Sequence, residues 1–288
     1  MTICRHWFYS ELHRSGVGRS VVLFRRFAAV LRHLRFHLQQ LLHHTLCFGT
    51  FGLDFIPLGL QFSVLAIGII VMQSVIVQFD TLGGEMVSNA AQNGFGAANK
   101  LNNLLMTPLN GLGTAMTSFT AQNLGAGDHA RIRKGTVQAL IIVWTMCLIS
   151  IAAGLLLSRG GGYLYIFLSP DKVTAETMRY GNTYLYVDLS LYLFLGFIFV
   201  VRNCVQGIGK PQFVLGAGAA ELVARVSVCL LLPPLIAGGA VNSDAPRAAV
   251  YALCFADPFA WMAADAVLLV PFLRNIMKMD YRYLKGTM

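Results

Sequence analysis

The chain has 288 residues, 56% of them hydrophobic and 12% charged, with a mean hydropathy of +0.62 and a formal net charge of +9. A soluble domain carries about 25% charged residues to wet its surface, so a water-soluble globule of this composition is excluded and the expected solvent is lipid. The charge is uneven: residues 1–50 hold seven of the 22 Lys and Arg, all Arg, and six of the seven His, which fits basic loops at a membrane surface better than a nucleic-acid patch.

In chain order, residues 1–54 form a basic segment. Its stretch "VVLFRRFAAVLRHLRFHLQQLLHH" is patterned as an amphipathic helix lying on the cytoplasmic leaflet. Two other accounts stay open: a leader translated from the wrong frame, which the absence of Lys favours, and an Arg-rich transit peptide. His33 and His37 stand four residues apart, but with no third ligand they do not make a zinc site.

Six spanning segments follow, since a helix needs about 20 apolar residues to cross the hydrocarbon. The first is Pro57 to Phe79, free of charge and holding Gln61, Gln73 and Gln78. The second, Val87 to Leu124, is rich in Gly, Ala and Asn, with Pro108 in its middle. Small residues there allow close helix packing in lipid. The third runs from Thr136 to Leu157. A Gly-rich connection then carries a short interfacial helix. The fourth runs from Thr183 to Val201. The fifth, Phe213 to Leu232, is expected to stop at Pro233-Pro234. The sixth, Ala248 to Phe272, is expected to be interrupted at Pro258.

Loop charge sets the orientation. Nine Lys and Arg fall on one side (Arg131, Arg133, Lys134, Arg202, Lys210, Arg274, Lys278, Arg282, Lys285) and four on the other (Arg159, Lys172, Arg179, Arg247). The nine-charge side is therefore expected to be cytoplasmic, with both ends of the six-helix region on it. The stretch "AQNLGAGDHARIRKG", 121–135, becomes a cytoplasmic turn. Its "GAGDHA" fits the loose G-x-G-x-x-A fingerprint, but a nucleotide loop follows a strand within a βαβ unit, and no such unit is predicted. The six cysteines (Cys4, Cys47, Cys147, Cys204, Cys229, Cys254) show neither C-x-x-C spacing nor a disulfide pattern. No nucleophile–base constellation or metal set stands out, and neither an enzyme nor a cofactor is expected.

Three motifs together resemble the C-terminal lobe of the multidrug and toxic compound extrusion (MATE) family. They are the Q-N-x-G-A-G turn at the end of "NAAQNGFGAANKLNNLLMTPLNGLGTAMTSFTAQNLGAG", the R-N-x-x-Q-G-x-G-K-P turn in "FVVRNCVQGIGKPQ", and the E-L-x-x-R helix in "AAELVARV". They occur in the family's order and spacing, over roughly residues 55–275. The resemblance implies an all-α polytopic bundle of about six transmembrane helices, one lobe of a twelve-helix transporter. It also implies a plasma-membrane antiporter of organic cations or drugs driven by sodium ions or protons. Because residues 55–288 correspond to one lobe and 1–54 cannot hold six more helices, the chain alone is not expected to export. A non-transporting half-lobe, a homodimer or a separate N-terminal lobe as partner are the alternatives. A lipid-linked oligosaccharide flippase is disfavoured, since the turns are those of drug exporters.

Charges inside a membrane are costly and mark function or pairing. Asp188 lies near the outer part of the fourth span and is either an ion-coupling group or a hydrated, idle one. Glu221 and Arg225, four residues apart, are expected to neutralise each other. Asp265 lies deep in the sixth span with no local partner, as a proton carrier requires, on one face with Trp261 and Asp257. Asp257 is expected to bond backbone freed by Pro258. Family members often use an acid in the first helix of this lobe. Here that helix offers only glutamines, so Gln73 is retained as a candidate and the coupling ion stays open. Tyr184, Tyr186, Tyr192 and Phe194 either line a cation cavity or face lipid and neighbouring helices.

Overall fold

The computed structural model describes residues 59–61 and 63–278, all within one compact unit. The basic segment, with its candidate surface helix and His33/His37, lies outside the described residues. The first helix, α1 (Gly59–Gln78), leads into a two-stranded hairpin, β1 (Thr81–Leu82) and β2 (Glu85–Met86). Then come α2 (Ala90–Gly125), α3 (His129–Ser158) and the short α4 (Gly162–Phe167). Next are α5 (Ala175–Ser190), α6 (Tyr192–Gly207) and α7 (Pro211–Ala237), followed by α8 (Arg247–Cys254) and α9 (Ala256–Pro271), which ends in a π-helical turn. Each expected span has a helical counterpart, and α4 is the expected short helix of the Gly-rich connection.

Four helical stretches among the described residues are long and apolar enough to cross a membrane, or five if α5 and α6 count as one bent span. The long α2 has the length, about 54 Å at helical rise, but its amides and hydroxyls make it more polar. Pro108 sits inside it without ending it. The outer face of α3 exposes Ile141, Leu148, Ile149 and Leu156 by half or more, an apolar row suited to lipid.

Two expectations about breaks are corrected and a third, the interruption of the sixth span, is placed one turn ahead of its proline. The fourth span is not continuous: α5 and α6 meet at Leu191 (φ −114°, ψ 17°) with a bend of 57°. No proline or glycine marks the spot. Pro233 and Pro234 do not stop α7, which runs on to Ala237 and is closed by Gly238 at φ +71°. Proline is tolerated in membrane helices where neighbours re-satisfy the freed backbone, and Pro233 is buried among them. In the sixth span the helix breaks at Phe255, ahead of Pro258. Pro258 has no N–H to give the Cys254 carbonyl, so the ladder opens between α8 and α9 while the proline itself sits in the first turn of α9.

Close helix contacts are made through glycine. A Cβ on Gly181 of α5 would lie 2.8 Å from the Gly94 carbonyl oxygen of α2. One on Gly207 of α6 would lie 2.6 Å from the Thr117 carbonyl oxygen. Small residues thus bring α2 against both halves of the bent span, as close packing in lipid requires. The turn after α2 is closed by Gly127 at φ +72°, and Asp128 caps α3 by accepting the Arg131 N–H at 2.9 Å. At the other end of α2, Asp80 takes the N–H groups of Ala91 and Gln92 at 3.0 and 2.9 Å, tying the end of α1 to the start of α2.

Candidate functional site

A cavity of about 540 Å³ lies between α1, α2, α5, α6, α7 and α9. Its walls divide by chemistry. The α2 wall presents Asn99, Asn103, Asn110, Thr114 and Ser118, spaced four, seven, four and four residues apart and so on one helix face. Asn103, Asn110, Thr114 and Ser118 are exposed. Thr114 returns its hydroxyl to the Asn110 carbonyl, and Asn103 bonds Asn99 at 3.2 Å. Such a stripe at membrane depth needs water or another polar surface opposite it, because hydrocarbon offers it no hydrogen bonds.

The facing wall carries charge. Arg202 of α6 donates Nη2 to Glu221 of α7 at 2.8 Å. The other Glu221 oxygen receives Arg225 Nη2 at 3.3 Å. Arg225 also reaches Asp257 of α9, with Nε at 2.8 Å and Nη2 at 2.7 Å from Oδ1. Tyr184 of α5 donates its hydroxyl to Asp257 Oδ2 at 2.9 Å. Two guanidinium groups therefore balance two carboxylates, and every oxygen of Glu221 and Asp257 is occupied. The chain crosses four helices. Helix α1 approaches it at Gly68, where a Cβ would lie 3.1 Å from Arg225 Nη1.

The expected Glu221–Arg225 pair is present, but as the middle of a longer array. Arg202, expected in a cytoplasmic loop, lies in α6 and pairs inside the bundle, so the cytoplasmic count loses one member. Asp257 does not bond freed backbone: its carboxylate is taken by Arg225 and Tyr184, because α7 and α5 bring stronger donors within reach. Asp188 is not hydrated at the protein surface. It is fully buried in the last turn of α5, beside the bend, and its Oδ2 accepts the Asn102 Nδ2 at 2.8 Å. Its Oδ1 has no hydrogen-bond partner among the described residues.

Asp265 is buried, and neither of its oxygens has a hydrogen-bond partner among the described residues. Gln73 is exposed and away from the cavity, whereas Gln61, three turns earlier on α1, lines it. The two fall on different faces of α1, which the charge-free sequence does not distinguish. Of the aromatic candidates, Tyr184 lines the cavity and Tyr192 is buried against Trp261 at 6.4 Å. Tyr186 and Phe194 are exposed. Among the described residues, no three His, Cys, Asp or Glu side chains converge to hold a metal. Cys147, Cys204, Cys229 and Cys254 are free and buried.

Asn203 also belongs to the site: it accepts the Thr117 hydroxyl at 2.8 Å and joins α2 to α6 along the cavity. The sequence does mark the α2 stripe, through its helical spacing. It gives no sign that Arg202 is inside, because that residue ends an apolar run where a turn is equally natural.

A family model described as MatE matches residues 66–231, from within α1 through most of α7. The chain is also 30% identical over 173 residues to the probable multidrug resistance protein YpnP of Bacillus subtilis (strain 168). That match covers 56% of this chain and 33% of the relative, so the chain spans about a third of the relative's length. No solved structure matches the chain.

Proposed function

Because the chain belongs to the MatE family and is a multi-pass membrane protein, we propose that it serves in the efflux of small organic compounds, organic cations and drugs among them, across the cell membrane, in exchange for sodium ions or protons. The observation that carries this reading is the cavity itself. Within a largely apolar lining it carries a stripe of amides and hydroxyls on one wall and the Arg–carboxylate array on the other, and two buried carboxylates, Asp188 and Asp265, lie outside that balanced array. A carboxylate without a countercharge at membrane depth is costly and therefore a place where a cation or proton is taken up. Alternating access in repeat-built transporters moves one bundle against another around a site at their interface. The exposed stripe of α2 supplies one wall of such a site.

That stripe favours a second element of the reading: the working assembly includes a further wall, from a second copy of this chain or from a separate N-terminal lobe. The experiment expresses the chain in an efflux-deficient host and follows dye accumulation and oligomeric state together. Lowered accumulation that depends on a sodium or proton gradient supports transport. Full accumulation both with the chain alone and with a co-expressed N-terminal lobe refutes it. Asp265→Asn is expected to abolish gradient-driven efflux at unchanged protein level. Asp257→Asn is expected to lower the amount of folded protein instead.

A further inference from the structure

The two ends of the cavity differ in chemistry. Near the start of α2 it is aromatic: Phe95 and Tyr184 meet edge to face at 4.5 Å, and both line it, as does Trp261. The other end lies where the second half of α2 meets α6. A Cβ on Gly113 would lie 2.6 Å from Asn203 Nδ2, and one on Gly207 2.6 Å from the Thr117 carbonyl oxygen. Arg202, Asn203 and Gln206 of α6 and Thr114, Thr117 and Ser118 of α2 line this end. On α6 the lining residues Leu195, Ile198, Phe199, Arg202 and Gln206 recur at helical spacing. One face of that helix therefore passes from apolar to polar along its length.

Hydrogen-bond capacity at the polar end is unequal. Both oxygens of Glu221 are taken by Arg202 and Arg225, and both of Asp257 by Arg225 and Tyr184. No other carboxylate lines the cavity among the described residues. Arg202 uses only Nη2, on Glu221. Its Nε is buried without an acceptor, and Nη1 makes no hydrogen bond among the described residues. Its side chain is also the most open of the four, 16% exposed against 12% for Asp257, 8% for Glu221 and 6% for Arg225. Donors on a cation are left over, and acceptors on an anion are not. A permanent organic cation finds no uncommitted carboxylate here and meets a guanidinium instead. A carboxylate finds a charge-assisted donor whose planar fork matches its own geometry.

We propose that Arg202 recognises a carboxylate on the cargo, so that the cavity takes organic acids or zwitterions with an apolar body rather than simple organic cations. The acid group sits against Arg202, with the Gln206 amide one turn away, while Nη2 stays on Glu221 and the array is kept. The body lies along Ile198, Phe199 and Leu195 towards the aromatic end. The volume of about 540 Å³ suits a small organic molecule. That the cavity holds cargo at all rests on the efflux reading above. The preference for an acid rests on the unequal array.

Three probes of one shape and different charge test this: naphthoate, naphthamide and trimethyl(naphthylmethyl)ammonium. Their binding to the purified full chain in lipid nanodiscs is measured by equilibrium dialysis at neutral pH, with empty nanodiscs subtracted for partition into lipid. Naphthoate is expected to bind about tenfold or more tightly than naphthamide, as a hydrogen bond to a charged group allows. The cation is expected to bind most weakly. Arg202→Gln is expected to erase the advantage of the acid. If that variant does not purify as monodisperse protein, Arg202→Gln combined with Glu221→Gln removes both charges of the pair and is expected to give the same loss. Naphthoate binding no tighter than naphthamide, a cation binding as tightly as the acid, or an acid advantage that persists without Arg202 each overturn the proposal and leave the cavity as a cargo site. Binding of none of the three probes counts against the efflux reading of the cavity, and the proposal falls with it.

Discussion

Arg225 of α7 holds one oxygen of Asp257 of α9 with two nitrogens, Nε at 2.8 Å and Nη2 at 2.7 Å. The two residues lie 32 positions apart in the chain, and both side chains are close to fully buried. Removing one member of such a pair leaves the other charge uncompensated, at a cost of about 3–5 kcal/mol. Arg225→Gln is therefore expected to lower stability by that order in detergent unfolding. Arg225→Gln combined with Asp257→Asn is expected to recover much of it. A double variant no more stable than the worse single one would show that the pair is not an independent unit.

The contact between α2 and α5 predicts opposite effects for glycines on one helix. A Cβ at Gly94 would lie 2.9 Å from the Gly181 amide nitrogen and closer still to the Thr177 carbonyl oxygen, both backbone. Gly94→Ala is expected to destabilise by about 1–3 kcal/mol, as overpacking does. Gly96, two residues on, has nothing within 4 Å of its would-be Cβ. Gly96→Ala is expected to stabilise by roughly 0.5–1 kcal/mol through helix propensity. Thermal unfolding of both variants in the same detergent compares them directly.

Asp80 caps α2 from the end of α1 with two charge-assisted bonds and is 1% exposed. Asp80→Ala is expected to cost about 1–2 kcal/mol, the range of a lost N-cap. It should also loosen the α1–α2 hairpin selectively. Hydrogen exchange at Ala91 and Gln92 is the readout, and unchanged protection there would refute the capping role.

The orientation prediction is tested at Ala130, an exposed position in the first turn of α3. With Cys4 and Cys47 changed to Ser, the four remaining cysteines are buried and give little background. Ala130→Cys is expected to resist an impermeant thiol reagent applied to intact cells and to react after permeabilisation. Ready labelling from outside would reverse the topology. The loss of Arg202 from the cytoplasmic set weakens the charge asymmetry without inverting it.

Composition and periodicity alone determine that this chain belongs in lipid, that it is helical, and roughly where each span lies, because lipid leaves the backbone no partners but its own. The MATE resemblance was likewise legible, carried by turns whose glycines must adopt particular backbone shapes; Gly127 and Gly209 at positive φ are two of them. The spacing of Glu221 and Arg225 also announces a pair, since four residues is one helical turn. What the sequence leaves undecided is which residue meets which across helices. Arg202 reads as a loop cation until α7 places Glu221 beside it. Asp188 reads as an interfacial acid until the bend at Leu191 buries it next to Asn102. Pro233 and Pro234 read as a stop, although the helix continues through them. In each case the deciding interaction joins residues far apart in the chain, and its energy exists only once the helices are packed.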